Sequence, residues 1–507
     1  MSSKVFSAAV VGLDCELVEV EADNSPYGNV GTFIVGLPDK AVDESKSRVR
    51  SAVRNSGFEF PRGNVTVNLA PADLRKAGTY YDLPIAVCCL LQAEMLYPEE
   101  AMLERIFIGE LALDGTVRPV SGVLSIAMMA ARIGMRELYV PAANAKEAAL
   151  VEGVTVYPVD ALEPLVDHLR GLVLIEPTVT APQHVVEEEF IETDMRHIKG
   201  QEHAKRALEI AAAGAHNILM AGPPGSGKTL LAKALPSILP RMSWTEMLEV
   251  TRIYSAAGLL ADGQYLITRR PYRSPHHTAS GVSLVGGGAW PRPGEISLAH
   301  RGVLFLDEFL EFPKPVLENL RQPLEDGIIH VSRASGTLRF PARFVLVAAM
   351  NPCPCGYLTD PDRKCTCHQS QVIKYQKRAS GPLLDRIDLH VEVPRVDFSQ
   401  LDDERAGESS VTIRERVQRA RDIQTARFQG TAIVSNAEMS PEYVRRYCEL
   451  DDESRQLVRQ AVDRLKLSAR AYYRILKLAR TIADLAASDQ ISTTHIAESL
   501  QYRPRLE

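Results

Sequence analysis

The 507-residue sequence has no apolar run near the ~20 residues that a membrane-crossing helix needs. Its short stretch Pro84–Leu91 has the length of a core element. Cysteine is sparse, with eight in the whole chain, which is too few for a disulfide scaffold. Four of the eight nevertheless crowd between Cys353 and Cys367, a metal pattern expected of a reducing compartment. A basic excess is also missing. With 58 basic and 64 acidic residues the formal charge is −6, which excludes a globally basic, histone-like protein but leaves room for a local basic channel. No internal repeat or low-complexity tract is visible. The start, Met1-Ser-Ser-Lys-Val-Phe, lacks the apolar core and cleavage site of a secretory signal. With 45% hydrophobic and 24% charged residues, the expectation is a cytoplasmic, multidomain, globular protein with no membrane partner.

Three domains and one linker follow one another. Residues 1–175 alternate short apolar runs with turn signals and read as mixed α/β, with strands at Val30–Val35, Val65–Leu69 and Glu137–Val140 and a helix at Ser121–Gly134. Residues 176–192, EPTVTAPQHVVEEEFIE, carry two prolines and an acidic run without periodicity, and read as a linker. Residues 193–398 return to α/β, with continuous apolar strands Asn217–Ala221, Val303–Leu306 and Phe344–Ala348, as parallel strands buried on both faces require. Residues 399–507 are polar and helical, with runs at Val411–Gln429, Asp451–Leu465 and Ala469–Ala486.

The segment 193–398 carries a nucleotide motif. Gly222-Pro223-Pro224-Gly225-Ser226-Gly227-Lys228-Thr229 fits G-x-x-x-x-G-K-[ST], follows a strand and opens a helix. Backbone N–H groups of such a loop curl around phosphates, and the helix N-terminus adds favourable partial charge. Lys228 would reach the β- and γ-phosphates of ATP, and Thr229 would hold Mg²⁺. Further on, the strand Val303–Leu306 ends in Asp307 and Glu308, placed to bind Mg²⁺ and to polarise the attacking water. Cys353, Cys355, Cys365 and Cys367 form two C-x-C pairs nine residues apart. Four thiolates suit a closed tetrahedral Zn²⁺ site, with His368 able to replace one of them. Such a metal would brace the loop that follows Asn351.

These motifs resemble the AAA+ ATPases, and their surroundings resemble the magnesium-chelatase-like branch and within it the bacterial competence-protein ComM (YifB-type) family. The resemblance rests on His197-Ile-Lys-Gly-Gln-Glu-His-Ala, Tyr272-Arg-Ser-Pro-His-His-Thr, Gly286-Gly-Gly, Asn351-Pro-Cys-Pro-Cys-Gly and Ser380-Gly-Pro-Leu-Leu-Asp-Arg-Ile-Asp. It implies a hexameric ring in which Asn351 is sensor 1, Arg386 is an arginine finger supplied in trans, and Arg470 is the sensor 2 arginine, with Arg474 one turn away as its rival. It also implies two insertions that project into a central pore, one within 271–294 and one at Gly327–Pro341. The second reads as a hairpin around Ala334-Ser-Gly336. Arg333 and Arg339 in one insertion, and His276, His277 and Arg292 in the other, are the candidate DNA contacts. No base-reading module is visible, so binding would be directed at the backbone and independent of sequence.

Gly109-Glu-Leu-Ala-Leu-Asp-Gly-Thr-Val-Arg-Pro-Val resembles the Lon-protease domain, of ribosomal S5 domain 2-like fold, whose enzymes use a Ser–Lys pair. Alignment puts Asp82 and Leu124 at those two positions, so a non-catalytic oligomerisation or DNA-handling domain is expected. Asp43-Glu-Ser45-Lys-Ser47 fits the D-x-S-x-S metal motif of von Willebrand A domains, but helix-start caps are the better reading. The function implied is an ATP-driven DNA translocase that promotes branch migration during homologous recombination in natural transformation, with a recombinase as partner. A chelatase-type subunit for metal insertion or remodelling is the alternative, and a protease is disfavoured by the missing dyad.

Overall fold

The computed structural model describes residues 2–25, 31–37, 39–74, 76, 78–96, 99–179, 193–288, 292–333, 336–396 and 407–503. The chain forms two compact units, Met1–Val186 together with Met247–Thr268, and Glu187–Glu246 together with Arg269–Glu507.

The first unit is built on a seven-stranded sheet. Its strands are β1 (Ser3–Val11), β2 (Asp14–Ser25), β3 (Gly31–Val35), β4 (Asn64–Ala70), β5 (Arg105–Phe107), β8 (Glu137–Pro141) and β9 (Thr155–Val159), in the order β3-β4-β2-β1-β5-β8-β9. The two-residue strands β6 (Glu110–Leu111) and β7 (Val117–Arg118) form a separate antiparallel pair. β4 shows why the sequence selects a strand: Val65, Val67 and Leu69 alternate inward and are fully buried. The apolar stretch Pro84–Leu91 lies in the helix Asp82–Gln92, buried on all sides against the sheet. Pro84 fits there because the first turn of a helix has no N–H bond to lose.

One expectation needs correction in this unit. Asp43, Ser45 and Ser47 lie inside the helix Lys40–Asn55 and cap nothing; the cap is Asp39, whose carboxylate accepts from the Val42 N–H at 2.9 Å. Residues 247–268, within the span 193–398 read from the sequence, group with the first unit in the fold. Their polar groups find partners there. Arg252 donates to the Leu13 carbonyl (3.1 Å), the Ser125 hydroxyl (3.0 Å) and the Asp14 carboxylate (2.9 Å). The Ser255 hydroxyl donates to the buried Glu147 carboxylate and accepts from the Gly122 N–H. Burial pushes the Glu147 carboxyl up from its ordinary value, and hydrogen bonds from Ser255, the Leu124 N–H and Asn144 oppose the shift.

In the second unit five strands, β10 (Ile218–Ala221), β11 (Tyr272–Arg273), β14 (Val303–Leu306), β17 (Val345–Met350) and β18 (Leu389–Glu392), pair in parallel in the order β11-β14-β17-β10-β18. β14 and the inner part of β17 are buried throughout, as their unbroken apolar sequence requires. Two antiparallel hairpins stand outside this sheet: β12 (Gly286–Gly287) with β13 (Arg292–Pro293), and β15 (Ile328–Arg333) with β16 (Gly336–Pro341). The C-terminal region holds the helices Ser410–Arg427, Asp452–Leu465, Ala469–Leu485 and Thr493–Gln501. Ser409, Asp451 and Ser468 cap the first three through their side chains, each cap worth ~1 kcal/mol. A small core of Phe428, Met439, Val444, Val458 and Leu476 joins these helices. Of the linker reading, Thr178 bridges to Val156 beside β9, and residues 180–192 lie outside the described residues.

Candidate ATP site and its surroundings

Parallel pairing brings the carboxyl ends of the strands of the second unit onto one rim, where open α/β sheets bind ligands. β10 leads directly into the loop Gly222–Gly227 and the helix Lys228–Ala234. Its neighbours fix the surroundings: Ala221 lies opposite Met350 in β17 and opposite Glu392 in β18. Gly222 is required because a Cβ there would lie 2.1 Å from the Val393 carbonyl oxygen just past β18.

Lys228, Thr229, Asp307 and Asn351 meet at this rim. The Lys228 ammonium donates to the carbonyls of Gly222 and Pro223, both at 2.8 Å, and approaches the Asn351 Oδ1 at 3.4 Å. Burial lowers its pKa, with Asp307 opposing. The Thr229 hydroxyl donates to the Asp307 carboxylate at 2.8 Å. A hydroxyl and a carboxylate in contact, beside a lysine in the first turn of a helix, form a constellation able to take a nucleotide phosphate and its Mg²⁺. Glu308 follows in the left-handed region, φ 50°, and its carboxylate contacts His277 Nδ1 at 3.1 Å.

Arg386 and Arg470 come together at a different place. Both guanidinium groups contact the carboxylate of Glu325, Arg470 at 2.8 Å, and Arg386 also donates to the Pro382 carbonyl at 2.6 Å. The hydrogen bond from Arg386, with the charge of both arginines, holds the Glu325 carboxyl below its ordinary value. A cavity of about 510 Å³ is lined here by Glu325, Arg386, Asp388, Arg470, Arg474 and Lys477, and no residue of the phosphate loop lines it. Arg474, the rival of Arg470, is engaged with the buried Asp388 at 3.2 Å, while Arg470 stays mostly exposed. The partner of Arg386, Glu325, lies 61 residues away in sequence and carries no local signal.

The four clustered cysteines converge. Cys353 Sγ lies 3.4 Å from that of Cys355 and 3.7 Å from that of Cys365, and all four sulfurs fall within 4.8 Å of one another. Backbone N–H groups, that of Tyr357 foremost, bring the Cys355 thiol down to about 6, favouring the thiolate a metal needs. His368 stands apart from this group and begins the helix Gln369–Gln376, its N–H donating to Gln371 Oε1 at 3.0 Å. A Cβ on Gly356, in the same loop, would lie 2.6 Å from Pro224 Cδ, so the cysteine loop packs directly on the phosphate loop.

The DNA-contact candidates fall on separate elements. Arg333 ends β15, opposite Gly336, and the turn 334–335 lies outside the described residues. Arg339 is exposed on β16, and Arg292 is exposed on β13 opposite Gly287. His276 is exposed and lies against His277, with ring centroids 4.1 Å apart and the planes tilted by 34°. In the first unit, Asp82 is fully buried and receives two hydrogen bonds from Arg48, at 2.8 and 3.1 Å, while Leu124 is a core residue. Neither supplies the hydroxyl or the amine of a Ser–Lys pair.

A parallel sheet with these residues on its rim defines a P-loop ATPase fold of the AAA+ type. Three family models match: "Magnesium chelatase, subunit ChlI" over residues 194–401, "Subunit ChlI of Mg-chelatase" over 18–144, and the ChlI C-terminal family over 407–503. The chain is 44% identical to Competence protein ComM of Haemophilus influenzae over 510 aligned residues, covering 98% of this chain and 97% of the relative. It is 42% identical to YifB of Escherichia coli, covering 99% and 97%. The magnesium-chelatase 38 kDa subunit of Rhodobacter capsulatus is 30% identical, over 31% of this chain and 49% of its own length. The chain belongs to the ComM/YifB family of magnesium-chelatase-like proteins.

The rim geometry makes a direct prediction. Lys228→Ala should abolish ATP hydrolysis by removing the ammonium held within the loop. Glu308→Gln should bind ATP normally yet turn over about 10²–10⁴-fold more slowly, the range for losing a positioned proton acceptor. Phosphate release and binding of a fluorescent ATP analogue measure the two effects separately, and normal turnover in Glu308→Gln would remove that carboxylate from the reaction.

Proposed function

We propose that this protein is an ATP-driven DNA translocase that assembles as a hexameric ring and drives branch migration during homologous recombination in natural transformation. The observation that carries the reading is the near-complete alignment with a competence protein, joined to the convergence of Lys228, Thr229, Asp307 and Asn351. Thr229 and Asp307 hold Mg²⁺, Lys228 and the loop N–H groups hold the β- and γ-phosphates, Glu308 orients the water, and Asn351 positions it. Arg386 and Arg470, paired on Glu325 away from this chain's own phosphate loop, suit service to a neighbouring subunit's ATP. A planar guanidinium matches the charge that develops on a transferred phosphoryl group.

Arg333 and Arg339 on one hairpin and Arg292 on another supply cations which, repeated around a ring, give a positive channel in a chain of net charge −6. The first unit has the Asp82–Arg48 pair where a Lon-type protease needs its serine, which suits a non-catalytic role in assembly or DNA handling. Cys353, Cys355, Cys365 and Cys367 bind Zn²⁺ and stiffen the loop between Asn351 and the phosphate loop. The metal-insertion alternative draws on the three chelatase family models. It is the weaker reading, because the chelatase relative named above aligns over under a third of this chain.

A three-strand junction assay with ATP and Mg²⁺ tests this function. Junction movement that requires hydrolysis is expected. ATPase activity indifferent to DNA but raised by a porphyrin would favour metal insertion instead. Elemental analysis of protein purified without chelator should find one zinc per chain, lost when Cys353 and Cys365 are both replaced by serine; metal-free wild-type protein would defeat the site.

A further inference from the structure

The cavity beside Glu325 extends well past the two arginines at its edge. Parallel pairing puts the carboxyl ends of the five strands on the ATP rim and their amino ends on the opposite side. The cavity lies at those amino ends. Gly302 leads into β14, Phe344 into β17, Asn217 into β10 and Asp388 into β18, and all four line it. The helix Ala469–Leu485 lines it as well, through Arg470, Arg474 and Lys477. These stand at i, i+4 and i+7 on one face, so Lys477 is about 10 Å along the axis from Arg470.

Eight cationic side chains line this space against five carboxylates. Six of the eight are paired: Arg386 and Arg470 on Glu325, Arg474 on Asp388, Arg301 and Arg343 on Glu438, and Arg270 on Glu246. The other two have only carbonyl partners. Lys477 donates to Ala437 at 2.8 Å, and Arg421 to Ala212 and Ala213 at 3.2 and 3.0 Å, and neither forms an ion pair among the described residues. Burial pushes Arg421 down to about 10 and lowers Lys477 too. Ser435 also lines the cavity. Its side chain is fully buried, and its hydroxyl has no hydrogen-bond partner among the described residues. The backbone around it is fixed, since the Asn436 N–H donates to Gln424 Oε1 at 2.9 Å and the Ala437 carbonyl holds Lys477.

A buried cation without a counter-ion and a buried hydroxyl without a partner are each unfavourable, and one multiply charged anion satisfies them together. Phosphate oxygens suit the task, because they accept from guanidinium, ammonium and hydroxyl donors at once. The volume of about 510 Å³ is that of a small-molecule site, and Leu239, Met439 and Tyr473 add apolar surface to its lining. We propose that this cavity is a second anion site, separate from the phosphate loop, which takes a small diphosphate-bearing ligand, either a nucleoside diphosphate or pyrophosphate. Bound there, the ligand ties the helices Ser410–Arg427 and Ala469–Leu485, which carry Arg421 and Lys477, to the strand starts. The site needs neither a ring nor DNA.

Isothermal titration of full-length Lys228→Ala protein with ADP and with pyrophosphate, in buffer without Mg²⁺, tests the site with the phosphate loop disabled. Each anion should bind once per chain. In the same background Ser435→Ala should weaken binding about fivefold, the worth of one net hydrogen bond, and Lys477→Gln at least tenfold. Because Ser435 Oγ has no partner to lose, Ser435→Ala should leave the anion-free thermal midpoint unchanged. ADP binding more tightly than pyrophosphate assigns a nucleotide, and equal affinities assign the diphosphate group alone. No saturable binding, or binding that neither substitution weakens, overturns the site.

Discussion

A buried ammonium with carbonyl partners sets the character of the ATPase unit. Lys228 donates to Gly222 and Pro223 and approaches the Asn351 amide oxygen, and no carboxylate forms an ion pair with it among the described residues. Taking a lysine out of water is unfavourable, and its lowered pKa records that cost. The arrangement is tenable because β10 lies between β17 and β18, whose ends hold the loop carbonyls and Asn351 in fixed places. A site organised in this way has a strong preference for an anion with several oxygens. Thr229 and Asp307, already in contact, supply the hard oxygen ligands that Mg²⁺ takes with it.

Two further constraints act on the same rim. The cysteine loop packs through Gly356 on Pro224, so whatever rigidity four thiolates gain from a metal passes directly to the phosphate loop. Glu325 acts elsewhere, as one carboxylate shared between two guanidinium groups. It orients Arg386 and Arg470 as a pair on a half-exposed surface, where a more strongly charged oxyanion could displace it. On the proposed reading the reaction centre is divided, one half on the strand ends of one chain and the other on the Glu325 surface of its neighbour.

Much of this was legible in the sequence because it is local. The phosphate loop, the strand ending in Asp307-Glu308 and the C-x-C pairs are contiguous patterns, and the strands and C-terminal helices fall within a residue or two of the periodicity-based boundaries. What was not legible is tertiary. The allegiance of residues 247–268 depends on Arg252 reaching the Leu13 carbonyl and Ser255 reaching Glu147. Glu325 is an ordinary helical glutamate until the fold brings two arginines to it. His277 reads as an exposed loop cation until β11 is placed beside β14. Even the helix cap at Asp39 was missed in favour of Asp43, because both precede the same apolar periodicity and backbone geometry alone distinguishes them.

The division of the ATP site between neighbouring chains is the central claim, and subunit mixing tests it most directly. Arg386→Ala and Glu308→Gln proteins are each expected to be inactive alone, one lacking the guanidinium given to a neighbour and the other the carboxylate beside its own phosphate loop. Mixed across a range of ratios under conditions that allow subunit exchange, they should regain hydrolysis at each interface that joins an intact Arg386 to an intact Glu308. Recovery that rises and then falls with the ratio, peaking between the two pure proteins, is the predicted result. An ATPase rate that never exceeds the sum of the separate proteins, in mixtures shown by mass to have exchanged subunits, would contradict the claim.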